Sequence, residues 1–172
     1  LMFLPYDGFT IWKYNIKSEE WIIDRYTLAV LAKKIKNLSY GMLDYNAVYA
    51  RDYMWMITGC SNSLLRYEPY TNDYKIFNIL NDDYNFNAIS EDSDGIWLAD
   101  FCKNELIKIP FKKNEIDVDN IARIKINTAI INNSWKNMTG MKREFKTFIM
   151  VGDYIVLIPA FSDTIISVNK YT

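Results

Sequence analysis

Apolar residues along this chain come in short runs, and the runs recur. In LMFLPYDGFTIWKYNIKS (residues 1–18) the first four positions are apolar. Polar residues with Pro and Gly follow, and apolar residues return at positions eleven and twelve. MWMITGCSNSLLRYEPYT (54–71), IWLADFCKNELIKIPFKK (96–113) and IVLIPAFSDTIISVNKYT (155–172) align beneath it without a gap. Position fourteen is Tyr14, Tyr67, Ile109 or Val168, and position thirteen is Lys13, Arg66, Lys108 or Ser167. Positions five to ten carry Pro, Gly, Asp, Asn, Ser and Thr, the punctuation of a tight connection. The pattern predicts strand, turn, strand: a β-hairpin repeated four times. Continuous apolar runs such as 54–57 and 155–158 fit strands buried on both faces, and their Trp, Ile and Val content favours a pleated surface.

The repeat extends beyond the hairpin. Asp52, Asp94 and Asp153 each stand two residues before an anchor, preceded by short apolar segments at 47–50, 88–90 and 148–151. Further strands follow at 20–23, 74–79 and 121–126. Each full unit therefore has four strands, and the anchors begin at residues 1, 54, 96 and 155, giving spacings of 53, 42 and 59 residues. Those spacings bracket the roughly 40–50 residues of a β-propeller blade. The expected fold is all-β, with four-stranded propeller-type blades at about 1–44, 45–85, 86–146 and 147–172 in a single domain. The end units carry three strands each and the middle two carry four, so about 3.5–4 blades are present. A larger propeller is the favoured reading; four-bladed closure, or a ring completed by two copies, are the alternatives.

The third copy, NFNAISEDSDGIWLADFCKNELIKIP, resembles the blade motif of two-component-regulator sensor propellers and of streptogramin-lyase-like propellers. The shared features are the apolar-x-apolar strand, the acidic Glu91-Asp92-Ser93-Asp94-Gly95 turn and the Ile96-Trp97-Leu98 strand. Copies one and four depart from it, with Pro5 and Pro159 where the third has Asp100. The resemblance implies a blade type. It carries over no catalytic residue, because lyases of that kind use a histidine base and this chain has none.

Composition narrows the chemistry. Hydrophobic residues make up 50% of the 172, which excludes disorder driven by low hydrophobicity. A net charge of −1 gives no global field for nucleic acid. The absence of histidine removes imidazole-based triads and His-ligated metals. Apolar runs are far shorter than the roughly 20 residues that span a bilayer. No signal peptide is evident, and localisation stays open. Cys60 and Cys102 share position seven and read as two unrelated small buried residues, since equivalent turns of adjacent blades lie too far apart for a disulfide. Asp94, Asp52 and Asp153 read as turn-capping groups rather than calcium ligands. Trp55 and Trp97 read as core between blades. No cofactor is expected.

Two long connectors, 25–44 and 127–146, stand out against a usual 2–6 residues. Leu28, Leu31, Ile35 and Leu38 in the first are compatible with a short amphipathic helix or with an extended strand. Connectors and hairpin turns crowd one face of a propeller, and loops on a rigid scaffold are where ligands are usually held. The candidate binding residues are therefore Tyr6, Asp7, Asn62, Phe101, Asn104, Trp135, Phe161 and Asp163. The expected function is a binding module for a small molecule, glycan or protein on that loop-rich face. The alternative is a fragment of a carbohydrate-active or lyase propeller whose catalytic residues lie largely outside this chain. Open blade edges also invite self-association.

Overall fold

The computed structural model describes residues 2–3, 10–25, 46–57, 61–127, 145–160 and 164–171. Their regular structure is entirely strand, in four antiparallel sheets that follow one another along the chain. Blade 1 holds β1 (Met2–Phe3), β2 (Ile11–Asn15) and β3 (Glu20–Asp24). Blade 2 holds β4 (Asn46–Ala50), β5 (Tyr53–Ile57), β6 (Ser63–Tyr67) and β7 (Tyr74–Asn78) in spatial order. Blade 3 begins with β8 (Ala88–Glu91), β9 (Gly95–Asp100) and β10 (Glu105–Lys112). Blade 4 holds β13 (Phe145–Val151), β14 (Tyr154–Pro159) and β15 (Ile166–Asn169). This is an all-β, propeller-like architecture, with the inner strands β4, β8 and β13 side by side.

The fourth strand of blade 3 differs from expectation. It is split in two, β11 (Glu115–Ile116) and β12 (Ala122–Lys125), and both pieces pair with β10. β12 lies where the third copy's last strand is expected; β11 is additional. Asp117 forces the split: its backbone N–H bonds Pro110 O at 2.8 Å, while its carboxylate accepts from Asn120 Nδ2 at 2.8 Å and turns the chain out of the ladder. The strand of blade 4 also begins earlier than its apolar run, at Phe145, with a register shift between Phe145 and Thr147. The possible helix in 25–44 and most of the connector 127–146 lie outside the described residues. Among the described residues no helix is long and apolar enough to cross a membrane.

Period-2 alternation makes each blade two-sided, and the buried residues fall into three clusters, one per junction. Ile11, Met56, Leu65 and Tyr67 join blades 1 and 2. Trp55, Ile57, Leu64, Ile96, Leu98, Ile107 and Ile109 join blades 2 and 3. Trp97, Ala99, Leu106, Phe148, Ile155 and Leu157 join blades 3 and 4. Residues adjacent along a strand thus serve opposite junctions: Met56 faces backward, Trp55 and Ile57 forward. That is why the anchors read as unbroken apolar runs. β9, with both faces covered, is buried at all six positions.

Local devices hold the turns. Arg51 and Asp52 both take positive φ (54° and 66°), the backbone of a two-residue turn whose twist matches the flanking strands. Gly95 is required for a different reason: a Cβ there would meet Ile109 O at 2.4 Å. Cys102 is a free, exposed cysteine, contrary to the expectation of a small buried residue. It sits in the β9–β10 turn, where Asp100 and Phe101 take the buried places. Cys60 lies outside the described residues.

Candidate functional site

Connections β8–β9 and β10–β11 leave one end of blade 3, and β9–β10 leaves the other. The same alternation in every blade defines a short-turn face, containing 51–52, 68–73, 92–94 and 152–153, and a hairpin-turn face. Of the sequence candidates, Asn62, Phe101 and Asn104 lie on the hairpin-turn face. Tyr6, Asp7, Trp135, Phe161 and Asp163 lie outside the described residues. Asn62, Phe101 and Asn104 are described, and each has a structural setting.

Asp100 organises this end of blade 3. Fully buried, it accepts from the backbone N–H groups of Cys102 and Lys103 at 3.0 Å through Oδ1, and of Asn85 at 2.9 Å through Oδ2. Asn87 Oδ1 accepts from Phe101 N at 3.1 Å. The Phe101 ring is then driven inward, 1% exposed, with its centroid 5.6 Å from that of Phe145. Asn62 is buried too, and its Nδ2 donates to Leu80 O and Asn81 O at 3.4 and 3.1 Å. Asn104 takes a left-handed φ of 54°, and its Oδ1 is buried with no hydrogen-bond partner among the described residues. Asn62 and Phe101 are thus engaged in holding turns, and neither presents a free surface to a ligand.

The short-turn face carries more polar chemistry than its turn lengths suggest. Asp92, not Asp94, caps the β8–β9 turn: its Oδ1 accepts from Asp94 N at 2.9 Å and Gly95 N at 3.0 Å. Its Oδ2 accepts from Trp97 Nε1 at 2.8 Å and lies 3.5 Å from Lys170 Nζ and 3.8 Å from Lys108 Nζ. Burial pushes the Asp92 carboxyl up, but the Trp97 indole, the Asp94 amide and the two lysines outweigh it and hold it below the usual carboxylate value. Arg51 donates to Ser93 O at 2.9 Å and stacks 5.1 Å from the Phe111 ring, tying blade 2 to blade 3. Arg66 pairs with Glu115 across the same junction.

Between blades 1 and 2 the packing is thinner at this end. The junction of blades 2 and 3 continues outward through Tyr53, Phe111 and Ile116, whereas among the described residues that of blades 1 and 2 has four fully buried ones, with Met2, Met54 and Tyr74 partly buried beside them. A cleft of about 610 Å³ opens there, with Met2, Met54 and Ile22 among its apolar lining and Tyr14, Tyr49 and Tyr70 among its aromatic one. Tyr49 and Tyr70 are well exposed. Lys13, also in the lining, is fixed: its Nζ donates to Tyr67 Oη at 2.9 Å, to Pro69 O at 3.1 Å and to Asn72 Oδ1. Burial pulls the Lys13 amine below its usual value, partly opposed by the Asp24 carboxylate. Tyr67 in turn bonds Asp24 Oδ2 at 3.0 Å; burial first, then that charge and bond, keep the phenol protonated far above the usual range. The Tyr49 hydroxyl is also raised, by desolvation and by Asp52, Tyr70 and Glu68.

The cleft residues escape sequence reading because each looks ordinary in place. Tyr49 reads as an inner-strand apolar residue and Tyr70 as part of a polar turn; only blade packing puts them in one lining. Among the described residues no group of three or more Cys, Asp or Glu side chains is placed to hold a metal ion.

No protein-family model matches the chain, and no curated protein matches its sequence. Solved structures do resemble it. The extracellular domain of the one-component system BT4673 from B. thetaiotaomicron superposes with a TM-score of 0.60 at 15% identity, covering 98% of this chain and 19% of that one. Virginiamycin B lyase from Staphylococcus aureus gives 0.59 at 13% identity, covering 99% of this chain and 52% of that one. A catalytically inactive form of that lyase with Quinupristin gives 0.57 at 12% identity. The chain thus spans about a fifth of the first and about half of the second. Both are propellers, and the likeness establishes a propeller-like fold.

Proposed function

We propose that this chain is a recognition module of the β-propeller type, holding a glycan or short peptide in the cleft between blades 1 and 2. The observation that supports this most is the pairing of a roughly 610 Å³ cleft with exposed Tyr49 and Tyr70 beside apolar Met2 and Met54. Such clefts, mostly apolar with a few polar groups, are the usual form of a small-ligand site. Aromatic faces hold sugar rings and peptide side chains by stacking, with tyrosine hydroxyls available for hydrogen bonds. Lys13 supplies the floor rather than the recognition, because Tyr67, Pro69 and Asn72 already accept its donors. This reading puts the ligand on the short-turn face, not on the hairpin-turn face for which the sequence analysis named Tyr6, Asp7, Asn62, Phe101, Asn104, Trp135, Phe161 and Asp163.

Within these 172 residues, one contrast favours binding over lyase chemistry. The inactive lyase has a histidine replaced by alanine, and this chain contains no histidine. Saturation-transfer NMR with cellotetraose, chitotetraose and tetra-alanine tests the reading. At least one probe should bind, and Tyr49→Ala or Tyr70→Ala should weaken it about fivefold, on the scale of about 1 kcal/mol for an aromatic contact. Unchanged affinity in both variants would refute the cleft. Loss of binding on Asn104→Ala instead would return the site to the hairpin-turn face.

A further inference from the structure

The short-turn face matches its aromatic rings with cations from within the chain. Arg66 Cζ lies 4.2 Å from the ring centroid of Tyr53, Arg51 Cζ 5.1 Å from that of Phe111, and Lys108 Nζ 5.3 Å from that of Trp97. Such contacts recur because the electron-rich face of a ring attracts positive charge. Two rings at this face differ. Tyr49, near the end of β4, and Tyr70, in the 68–73 turn, are 54% and 87% exposed, and among the described residues no cation is stacked on either. Both line the cleft between blades 1 and 2.

The charges around that cleft are unequal. Glu68 and Asp73 bound the turn that carries Tyr70, and Asp52 stands in the turn just beyond Tyr49. Glu68 Oε1 accepts from Tyr70 N at 3.5 Å, which keeps the carboxylate beside the backbone that presents the ring. Asp52 and Glu68 both act on the Tyr49 hydroxyl: burial first, then Asp52, Tyr70 and Glu68, raise it. The positive groups nearby are committed elsewhere. Lys13 Nζ is held by Tyr67, Pro69 and Asn72, with the Asp24 carboxylate acting on it. Arg51 reaches away from blade 1, to Ser93 O and Phe111. Lys17, the other lysine of the lining, is followed by Glu19 and Glu20 where β2 turns into β3.

We propose that the cleft takes the cationic side chain of a lysine or arginine in a short peptide, a choice that rests on reading the cleft as the ligand site. Such a side chain has an apolar stem and a charged head. Met2, Met54 and Ile22 offer the stem a soft, aliphatic surface. The Tyr49 and Tyr70 rings, with the Asp52 and Glu68 carboxylates, supply the complement for the head. A neutral sugar would meet the same lining but leave the two carboxylates without a counter-charge. An acidic ligand would be repelled by them.

NMR titration of the 172-residue chain with acetyl-Ala-Ala-Lys-Ala-Ala-amide, and with the same peptide carrying Nε-acetyl-lysine, tests this. The two peptides share backbone and stem but differ in charge. The charged one should bind about tenfold more tightly, within the range of cation–π contacts, and raising the salt to about 0.5 M should narrow the gap. Asp52→Asn combined with Glu68→Gln should narrow it to about twofold and leave the affinity of the acetylated peptide unchanged. Both substitutions keep an acceptor oxygen in place, and the comparison of the two peptides needs no variant at all. Equal affinities, or binding of cellotetraose alone, would overturn the cationic ligand, while the cleft itself would stand if Tyr49→Ala weakened whatever bound. Failure of every probe to sense Tyr49 and Tyr70 would sink the cleft as well.

Discussion

Asp92 accepts from two backbone amides and an indole and faces two lysines on the short-turn face, and acid should therefore be felt there. Its carboxyl is held below its ordinary value of 3.8, so the stabilisation is complete above that value and is lost as pH falls through the lower folded value. Asp92→Asn should cost about 2 kcal/mol at neutral pH, in line with hydrogen bonds to a charged group, and should flatten the acid limb of a urea-midpoint titration. An acid limb identical to that of the unaltered chain would show that the turn, not the charge, matters. The equivalent place in blade 2 is Ala50, and there the indole of Trp55 donates to the Ala50 carbonyl at 3.0 Å instead. Sequence reading assigned the capping to Asp94 because that aspartate recurs. The recurrence instead marks turn positions, with Asp52 in a left-handed conformation and Asp153 O accepting from Lys170 N. Gly95→Ala should cost roughly 1–3 kcal/mol by overpacking, since the obstacle is the rigid Ile109 carbonyl, and chemical denaturation would read it directly.

At the scale of single elements, the blade junctions carry the energy. Trp55 is fully buried and lies among Phe77, Phe111 and Tyr53, with ring centroids 5.9 to 6.4 Å away. Trp55→Ala should destabilise by about 4 kcal/mol, a large part of the stability of a domain this size, as measured by urea unfolding. The β9–β10 turn depends on one carboxylate in the same way. Asp100→Ala strands three backbone donors in a buried place and should cost about 3 kcal/mol, while Asp100→Asn should recover part of it. The position is legible in sequence only as the point where Pro5 and Pro159 replace it. Its role depends on Asn85, fifteen residues upstream, arriving opposite its second oxygen.

Across the whole molecule, burial declines from the centre outward. β9 is buried throughout, whereas β3 exposes four of its five residues. Amide hydrogen exchange should rank β9 slowest and β3 among the fastest of the described strands, because opening a strand covered on one side disrupts fewer contacts. Equal protection of both would show that burial at the blade junctions does not set the order of opening. By itself the sequence determined the strand order, the four hairpins, the anchor tryptophans as core, and a propeller-like fold, because alternation and turn chemistry are local and repeat in register. Tertiary structure alone decided that Asp92 rather than Asp94 takes the hydrogen bonds, that Phe101 turns inward onto Phe145, and that a cleft lies beside Tyr49 and Tyr70. Those outcomes depend on how closely one blade approaches the next. That distance is set by side chains far apart in the chain, and no local pattern encodes it.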